Sequence, residues 1–275
     1  MSSYSVPIDR SNPGVIMLLL DHSLSMADKC GAGDESKAEA LARAVNRLIR
    51  NLVLQCENGD QIRDYYDLGI IGYGGDGVGS AFCGALAGHQ LIPISAVANY
   101  PLGFEVESMP DRPDLTLERP VWVQPTANGG TPMNGAIDLA GAVLAQWANS
   151  HRNSFPPLVL NVTDGFSTDG DPGPMAQQLR NIVTLDGNLL LFNIHISETA
   201  AAAIEYPASP IGLPDKEAEQ LFEMSSELTP YMRTVGRNMN LEMADGCRGF
   251  MFNANPAQLS LFLDVGTRVA VHVDH

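Results

Sequence analysis

The sequence predicts an α/β protein built on a Rossmann-like open, mostly parallel β-sheet with helices on both faces. Three observations carry this expectation. Short continuous apolar runs recur without the alternation of a half-exposed strand, as strands covered on both faces require. Between them lie stretches whose apolar residues repeat at spacings of three and four. The two patterns take turns along the chain, the order expected of parallel strands joined by crossover helices.

The first run, VIMLLL at 15–20, is entered from Asn12-Pro13-Gly14, a turn signal. Ser36 and Glu39 form a capping-box pattern, and Leu41, Val45, Leu48 and Leu52 then mark the apolar stripe of a helix. DLGIIGY at 67–73 is the second strand. Residues 74–120 interrupt the rhythm with Gly74, Gly75, Gly77 and Gly79, then LIPIS, then Pro110, Pro113 and Pro120. A hairpin at the sheet edge and a surface excursion are expected there. Pro132 suits a first helical turn, and Met133, Ile137, Ala140, Leu144 and Trp147 continue that helix. Strands follow at 158–163, 189–196 and 249–253, and helices at 174–184, 215–227 and 256–266. Residues 198–214 are Ala-rich, then Pro-rich, and read as a second excursion. No internal repeat or low-complexity linker divides the chain. A single domain over 13–268 is expected, with 1–12 as an N-terminal extension and 269–275 as a C-terminal tail.

The 275 residues carry 16 Lys plus Arg against 32 Asp plus Glu, a formal charge of −16. That balance argues against holding nucleic acid as the main task, because phosphate binding needs a basic field. With 45% hydrophobic and 17% charged residues, the chain has the material for a buried core rather than disorder. No apolar run reaches the ~18 residues that cross a bilayer, and the first residues lack the basic-then-apolar pattern of a signal peptide. A cytoplasmic location without membrane insertion is expected. Cys30, Cys56, Cys83 and Cys247 contain no CxxC pair and are expected to be reduced and mostly buried. The sequon Asn161-Val162-Thr163 sits inside a strand-like run and is not taken as a glycosylation site.

In open α/β sheets, ligands gather beyond the carboxyl ends of the strands. Asp21-His22-Ser23-Leu24-Ser25 follows the first strand, and Asp164 follows the strand at 158–163. Thr131, after Gly129-Gly130 and before Pro132, opens a helix. Two carboxylates and three hydroxyls offer hard oxygen without thiolate or imidazole, favouring Mg²⁺, Mn²⁺ or Ca²⁺ over zinc. Hydroxyls are weak ligands, so such a site keeps waters and an open coordination position. The competing reading of these residues is plain helix capping.

DHSLS at 21–25, GGT at 129–131 and TDG at 163–165, separated by about 105 and about 30 residues, resemble the metal-ion-dependent adhesion site of von Willebrand factor A domains. The resemblance implies direct coordination by Ser23, Ser25 and Thr131, with Asp21 and Asp164 close by, often through water. It implies that family's Rossmann-like fold across roughly 13–268. Leu24 stands where Gly is frequent, at a position that supplies no ligand. The layout is also similar to stand-alone bacterial A-domain proteins of the tellurite-resistance type. Those work inside the cell beside kinases, phosphatases or AAA+ ATPases in stress and defence systems.

Ser167, Asp169 and Asp171 extend an acidic rim and are read as a loop ahead of the helix near Pro174 rather than as a second cation site. His22 is expected to be a rim side chain, and His195 a satisfied strand histidine. The glycines at 74–79 are not followed by Lys-Ser or Lys-Thr, so no phosphate loop is expected. No GxSxG elbow is present, and Ser23 stands where an aspartyl phosphotransferase would carry a second Asp. The expected function is cation-dependent binding of a protein partner that offers an Asp or Glu carboxylate, without catalysis. A metal-dependent hydrolase of phosphatase or nuclease type is the second reading.

Overall fold

The computed structural model describes residues 4–30, 34–75, 77–109, 112–196 and 202–267. In chain order the principal strands are β1 (Gly14–His22), β2 (Tyr66–Gly74), β3 (Gly77–Ser80), β4 (Gly103–Met109), β5 (Arg112–Val121), β6 (Leu158–Thr163), β7 (Leu190–Ile196) and β8 (Phe250–Ala254). The principal helices are α1 (Lys37–Gln55), α2 (Met133–Ser150), α3 (Gly173–Arg180), α4 (Lys216–Met224), α5 (Pro230–Asn238) and α6 (Pro256–Thr267).

β1 is buried from Gly14 through Asp21 because it lies in the middle of the sheet and is covered on both faces. Its even-numbered residues Ile16, Leu18 and Leu20 join one hydrophobic cluster with residues of α1, α5 and α6. Its odd-numbered residues Val15, Met17 and Leu19 join a second cluster with residues of α2, α3 and α4. Side chains alternate across a strand, so two apolar faces demand an unbroken apolar run. That is the physical reason the first strand was legible as VIMLLL; LVLNVT keeps the pattern except at Asn161 and Thr163, which are buried polar residues.

The sheet runs β8-β7-β6-β1-β2-β3, with Ile204–Glu205 outside β8 and Ile92–Pro93 beside β2. The five strands from β8 to β2 are mutually parallel, whereas β3 turns back antiparallel on β2. The fold is therefore an open, mostly parallel α/β sheet of Rossmann-like type. The edge hairpin expected after residue 73 is β2–β3. The excursion contains a second hairpin, β4–β5, that forms its own two-stranded sheet.

α1 starts where the capping box requires. Ser36 Oγ accepts from Glu39 N at 3.2 Å, and Glu39 accepts from Ser36 N at 2.8 Å. The helix expected over 174–184 stops at Arg180, because a small hairpin, Val183–Thr184 with Gly187–Asn188, follows. Asp186 in its turn holds the N-terminal segment by accepting from Ser5 N at 3.0 Å and Val6 N at 3.1 Å. Residues 4–12 thus pack on the domain, and Ile8 enters the core. The boundary at 268 and the tail 269–275 lie outside the described residues, as does part of 198–214. α5 was not expected, although Thr229 caps it at Met232 N and Pro230 occupies its first turn. Cys30, Cys56 and Cys247 are buried, Cys83 is partly exposed, and all four are free thiols.

A chain of polar side chains crosses the core on the α2 face. Tyr73 Oη donates to Asn161 Oδ1 at 2.7 Å, Asn161 Nδ2 to Asn193 Oδ1 at 3.0 Å, and Asn193 Nδ2 to Ser225 Oγ at 2.9 Å. All four residues are buried, which places the sequon asparagine out of reach of any modifying enzyme in the folded protein. Breaking one link strands two buried partners. Asn161→Leu is expected to lower stability by about 3 kcal/mol, measured by urea unfolding. A loss no larger than that of an ordinary surface substitution would show that the network relaxes freely.

Candidate functional site

The chain passes from β1 to β2 on one side of the sheet and later continues on the other side with β6. The crevice beyond the carboxyl ends of β1 and β6 is thus the topological switch point, where open α/β sheets take ligands. Register decides what meets there. Leu20 pairs with Val162, so the next residues, Asp21 and Thr163, come side by side.

Thr163 Oγ1 donates to Asp21 Oδ2 at 2.6 Å, and Ser23 N donates to Asp21 Oδ1 at 2.8 Å. Asp21 is fully buried. Burial pushes its carboxyl above the ordinary range, the bonds from Ser23 and Thr163 oppose that rise, and the charge of Asp164 adds to it. Ser23 Oγ and Ser25 Oγ stand 3.1 Å apart, and Ser25 Oγ donates to Asp164 Oδ1 at 2.8 Å.

The loop carrying Thr131 is fastened to both neighbouring segments. Asn128 N donates to His22 O at 2.6 Å, and Leu24 N donates to Gly129 O at 3.0 Å. Gly129 has φ +60°, and a Cβ placed on it would lie 2.2 Å from Gly75 Cα. Only two glycines allow the backbones to pass this closely. Thr131 N donates to Thr168 Oγ1 at 2.9 Å, and Thr168 N returns a bond to Thr131 O at 2.9 Å. The structure therefore links Ser23, Ser25 and Asp164 through their side chains, holds Asp21 by the Ser23 amide, and fastens the loop that carries Thr131 to Leu24 and Thr168.

Sequence reading missed Lys37. Its Nζ donates to Asp164 Oδ2 at 2.8 Å and to Ser25 O at 3.3 Å. The side chains of Lys37 and Asp164 are 5% and 2% exposed, so this is a buried ion pair. One signal was available: a lysine as the first residue of α1 opposes the helix dipole and needs a compensating carboxylate. Its partner, however, lies 127 positions away in sequence.

Several other residues settle into structural roles. Asp169 accepts from Asn134 N at 3.0 Å and Gly135 N at 2.9 Å, thereby capping α2, while Asp171 accepts from Gly173 N at the start of α3. Burial would raise the Asp169 carboxyl, but the bonds from Ser167, Gly135 and Asn134 outweigh it and hold the group below the ordinary range. The His22 ring lies across Gly72, where a Cβ would fall 2.4 Å from the ring. Gly74, Gly77 and Gly79 belong to the β2–β3 hairpin. His195 is a packed strand histidine, as expected: its ring stacks on Phe252 at 4.5 Å and it makes a backbone hydrogen bond to Asp164, while its Nδ1 has no hydrogen-bond partner among the described residues.

The donor set suits a hard cation. Adjacent oxygens on an octahedral Mg²⁺ with bonds of about 2.0–2.1 Å stand about 2.9 Å apart, close to the 3.1 Å between the serine hydroxyls. The carboxylates are already hydrogen-bonded, as groups acting through intervening water or hydroxyl would be. Among the described residues no three His, Cys, Asp or Glu side chains converge, so a softer ion has no cluster there. Two apolar side chains in or beside the motif segments are exposed: Leu24 is 64% and Phe166 61% exposed.

No protein-family model and no curated protein matches the chain. Among solved structures it is similar to proximal thread matrix protein 1 from the mussel byssus, at 15% identity over 94% of this chain and 48% of that one, with TM-score 0.49. It is also similar to the pilus adhesin SpaC from Lactobacillus rhamnosus GG, at 13% identity over 96% and 30%, with TM-score 0.46. A third is the ArnB paralog VWA2 from Sulfolobus acidocaldarius, at 14% identity over 67% and 35%, with TM-score 0.35. The chain spans less than half the length of each. Likeness at this level does not define a family for the chain.

Removing one member of a buried ion pair leaves the other charge uncompensated. Lys37→Met is expected to cost about 3 kcal/mol in EDTA, read from urea unfolding, whereas Lys37→Arg retains most of the stability. Equal stability of wild type and Lys37→Met would mean that Asp164 has no need of the ammonium.

Proposed function

We propose that the chain is a divalent-cation-dependent protein-binding module of the von Willebrand factor A type, with residues 13–268 as its working unit. The observation that carries this reading is the meeting of the three motif segments at one rim, with Ser23 and Ser25 presenting hydroxyls 3.1 Å apart. Ser23, Ser25 and Thr131 would hold Mg²⁺, or alternatively Mn²⁺ or Ca²⁺, with Asp21 and Asp164 balancing its charge. When bound, the ion supplies an open position for a carboxylate of a partner protein.

The chain's own residues do the rest. Asp21 is kept in place by Ser23 N and Thr163, and Asp164 by Ser25 and Lys37. Leu24 and Phe166 flank the hydroxyls and give a partner apolar surface to cover, which excludes water from a polar contact made between them. The ammonium of Lys37 cancels one of the two carboxylate charges, so the site attracts a dication less strongly than an unpaired cluster would. The partner is taken to be a protein presenting one protruding Asp or Glu, in the manner of a kinase, phosphatase or AAA+ ATPase of an intracellular stress-response, signalling or defence system. That assignment, and a cytoplasmic site of action, rest on the resemblance. The free, mostly buried thiols suit it. The binding reading is preferred to hydrolysis because the two histidines nearest the site are held by packing: the ring of His22 lies against Gly72 and that of His195 is stacked on Phe252.

Mn²⁺ binding, followed by the loss of the free-ion electron paramagnetic resonance signal, tests the site directly. Wild type is expected to bind; Ser23→Ala and Asp21→Asn are expected to fold and to lose binding; Lys37→Met is expected to bind about tenfold more tightly. Partner capture should follow the same order, appearing in Mg²⁺ and vanishing in EDTA. Binding that ignores Ser23→Ala and Asp21→Asn would sink the proposal. Turnover of a phosphatase or nuclease substrate that Asp164→Ala abolishes would replace it with the hydrolase reading.

A further inference from the structure

A groove separates the outer face of α1 from the β4–β5 hairpin. Its walls carry Arg43, Arg47 and Arg50 from the helix and Arg119 from β5, against a single carboxylate, Glu105. The enclosed volume is about 480 Å³. The helical arginines share a face because residues three, four and seven apart do so. The opposite face holds Leu41, Val45, Leu48 and Leu52 in the core, which sends the guanidinium groups outward together.

Two features make this groove unusual for the molecule. The chain's formal charge is −16, yet four of its 16 basic residues line one groove. Like charges three and four apart on a helix also repel, which weakens α1. Arg43 is paired with Glu35. Among the described residues Arg47 and Arg50 have no acidic partner, so the free protein bears this repulsion without internal relief.

We propose that the groove docks an extended acidic segment of another protein. Along the axis of α1, Arg43 and Arg50 are about 10 Å apart, the length of about three residues of extended chain. That spacing serves successive carboxylates better than one compact anion, which would want the guanidinium groups converging on a point. Phe104 and Val106 on β4 are 62% and 66% exposed beside the groove and offer apolar contacts to alternate side chains of such a segment. A nucleic acid is less suited, because the acidic remainder of the surface repels a long polyanion. The docking needs no cation and is independent of the site at Ser23.

The test uses the full chain in EDTA, so that the cation site plays no part, and a fluorescein-labelled peptide of alternating Glu and Val followed by anisotropy. Binding is expected, weakening at least about tenfold in the double variant Arg47→Glu, Arg50→Glu and as salt rises. A peptide of alternating Lys and Val, which the chain's charge of −16 attracts elsewhere, should bind no more weakly to the double variants than to wild type. Arg47→Ala with Arg50→Ala is the second variant, and circular dichroism verifies that each is folded. The proposal is overturned if the acidic peptide fails to bind, or if both double variants bind it as wild type does. Tighter binding of inorganic tripolyphosphate, or of a single-stranded oligonucleotide, at the same arginines would overturn it as well and assign the groove to phosphate.

Discussion

The pairing of β1 with β6 governs the candidate site. Its register is fixed by the core, since a one-residue slip would exchange the apolar faces that α1 and α2 cover. The same register delivers Asp21 to Thr163 and sets the loops that follow each strand against one another. Packing of Ile16, Leu18 and Leu20 thereby determines where a carboxylate stands several residues later. A polar constellation at the rim inherits its precision from hydrophobic alternation below it.

The strands were readable in advance because burial on both faces makes their runs mostly apolar, with the few polar residues they hold paired inside, and α1 because its cap is encoded within four residues. The hydroxyl and carboxylate groups of the rim were readable because each sits directly at a strand end or helix start. What escaped depends on distance in sequence. Lys37 gives no local sign of Asp164, and Asp169 reads as belonging to its own loop until α2 comes to rest on it. The β4–β5 hairpin escaped for another reason: its sequence carries prolines and charges, and it pairs with nothing in the main sheet. Asp186 shows the same limit, since its partners are the backbone amides of residues 5 and 6.

Net charge alone is a poor guide to a surface such as this. An acidic chain has few cations, and their positions carry more information than their number. Lys37 is spent on neutralising a buried carboxylate, while the arginines of α1 face outward at a cost to the helix they stand on. The two arrangements have opposite meanings. The first satisfies an internal need and is complete within the chain, whereas the second leaves a need open.

The unequal burial of the four thiols has a practical side. Burial pushes the Cys56 thiol up to about 12, and burial likewise raises Cys30 and Cys247. Thiolate is the reactive form, so these three resist alkylation while the protein is folded. Cys83, just beyond the β2–β3 edge hairpin, is the partly exposed one. A maleimide dye can therefore be directed to a single position of the natural sequence, giving an optical handle on the molecule without engineering a cysteine into it.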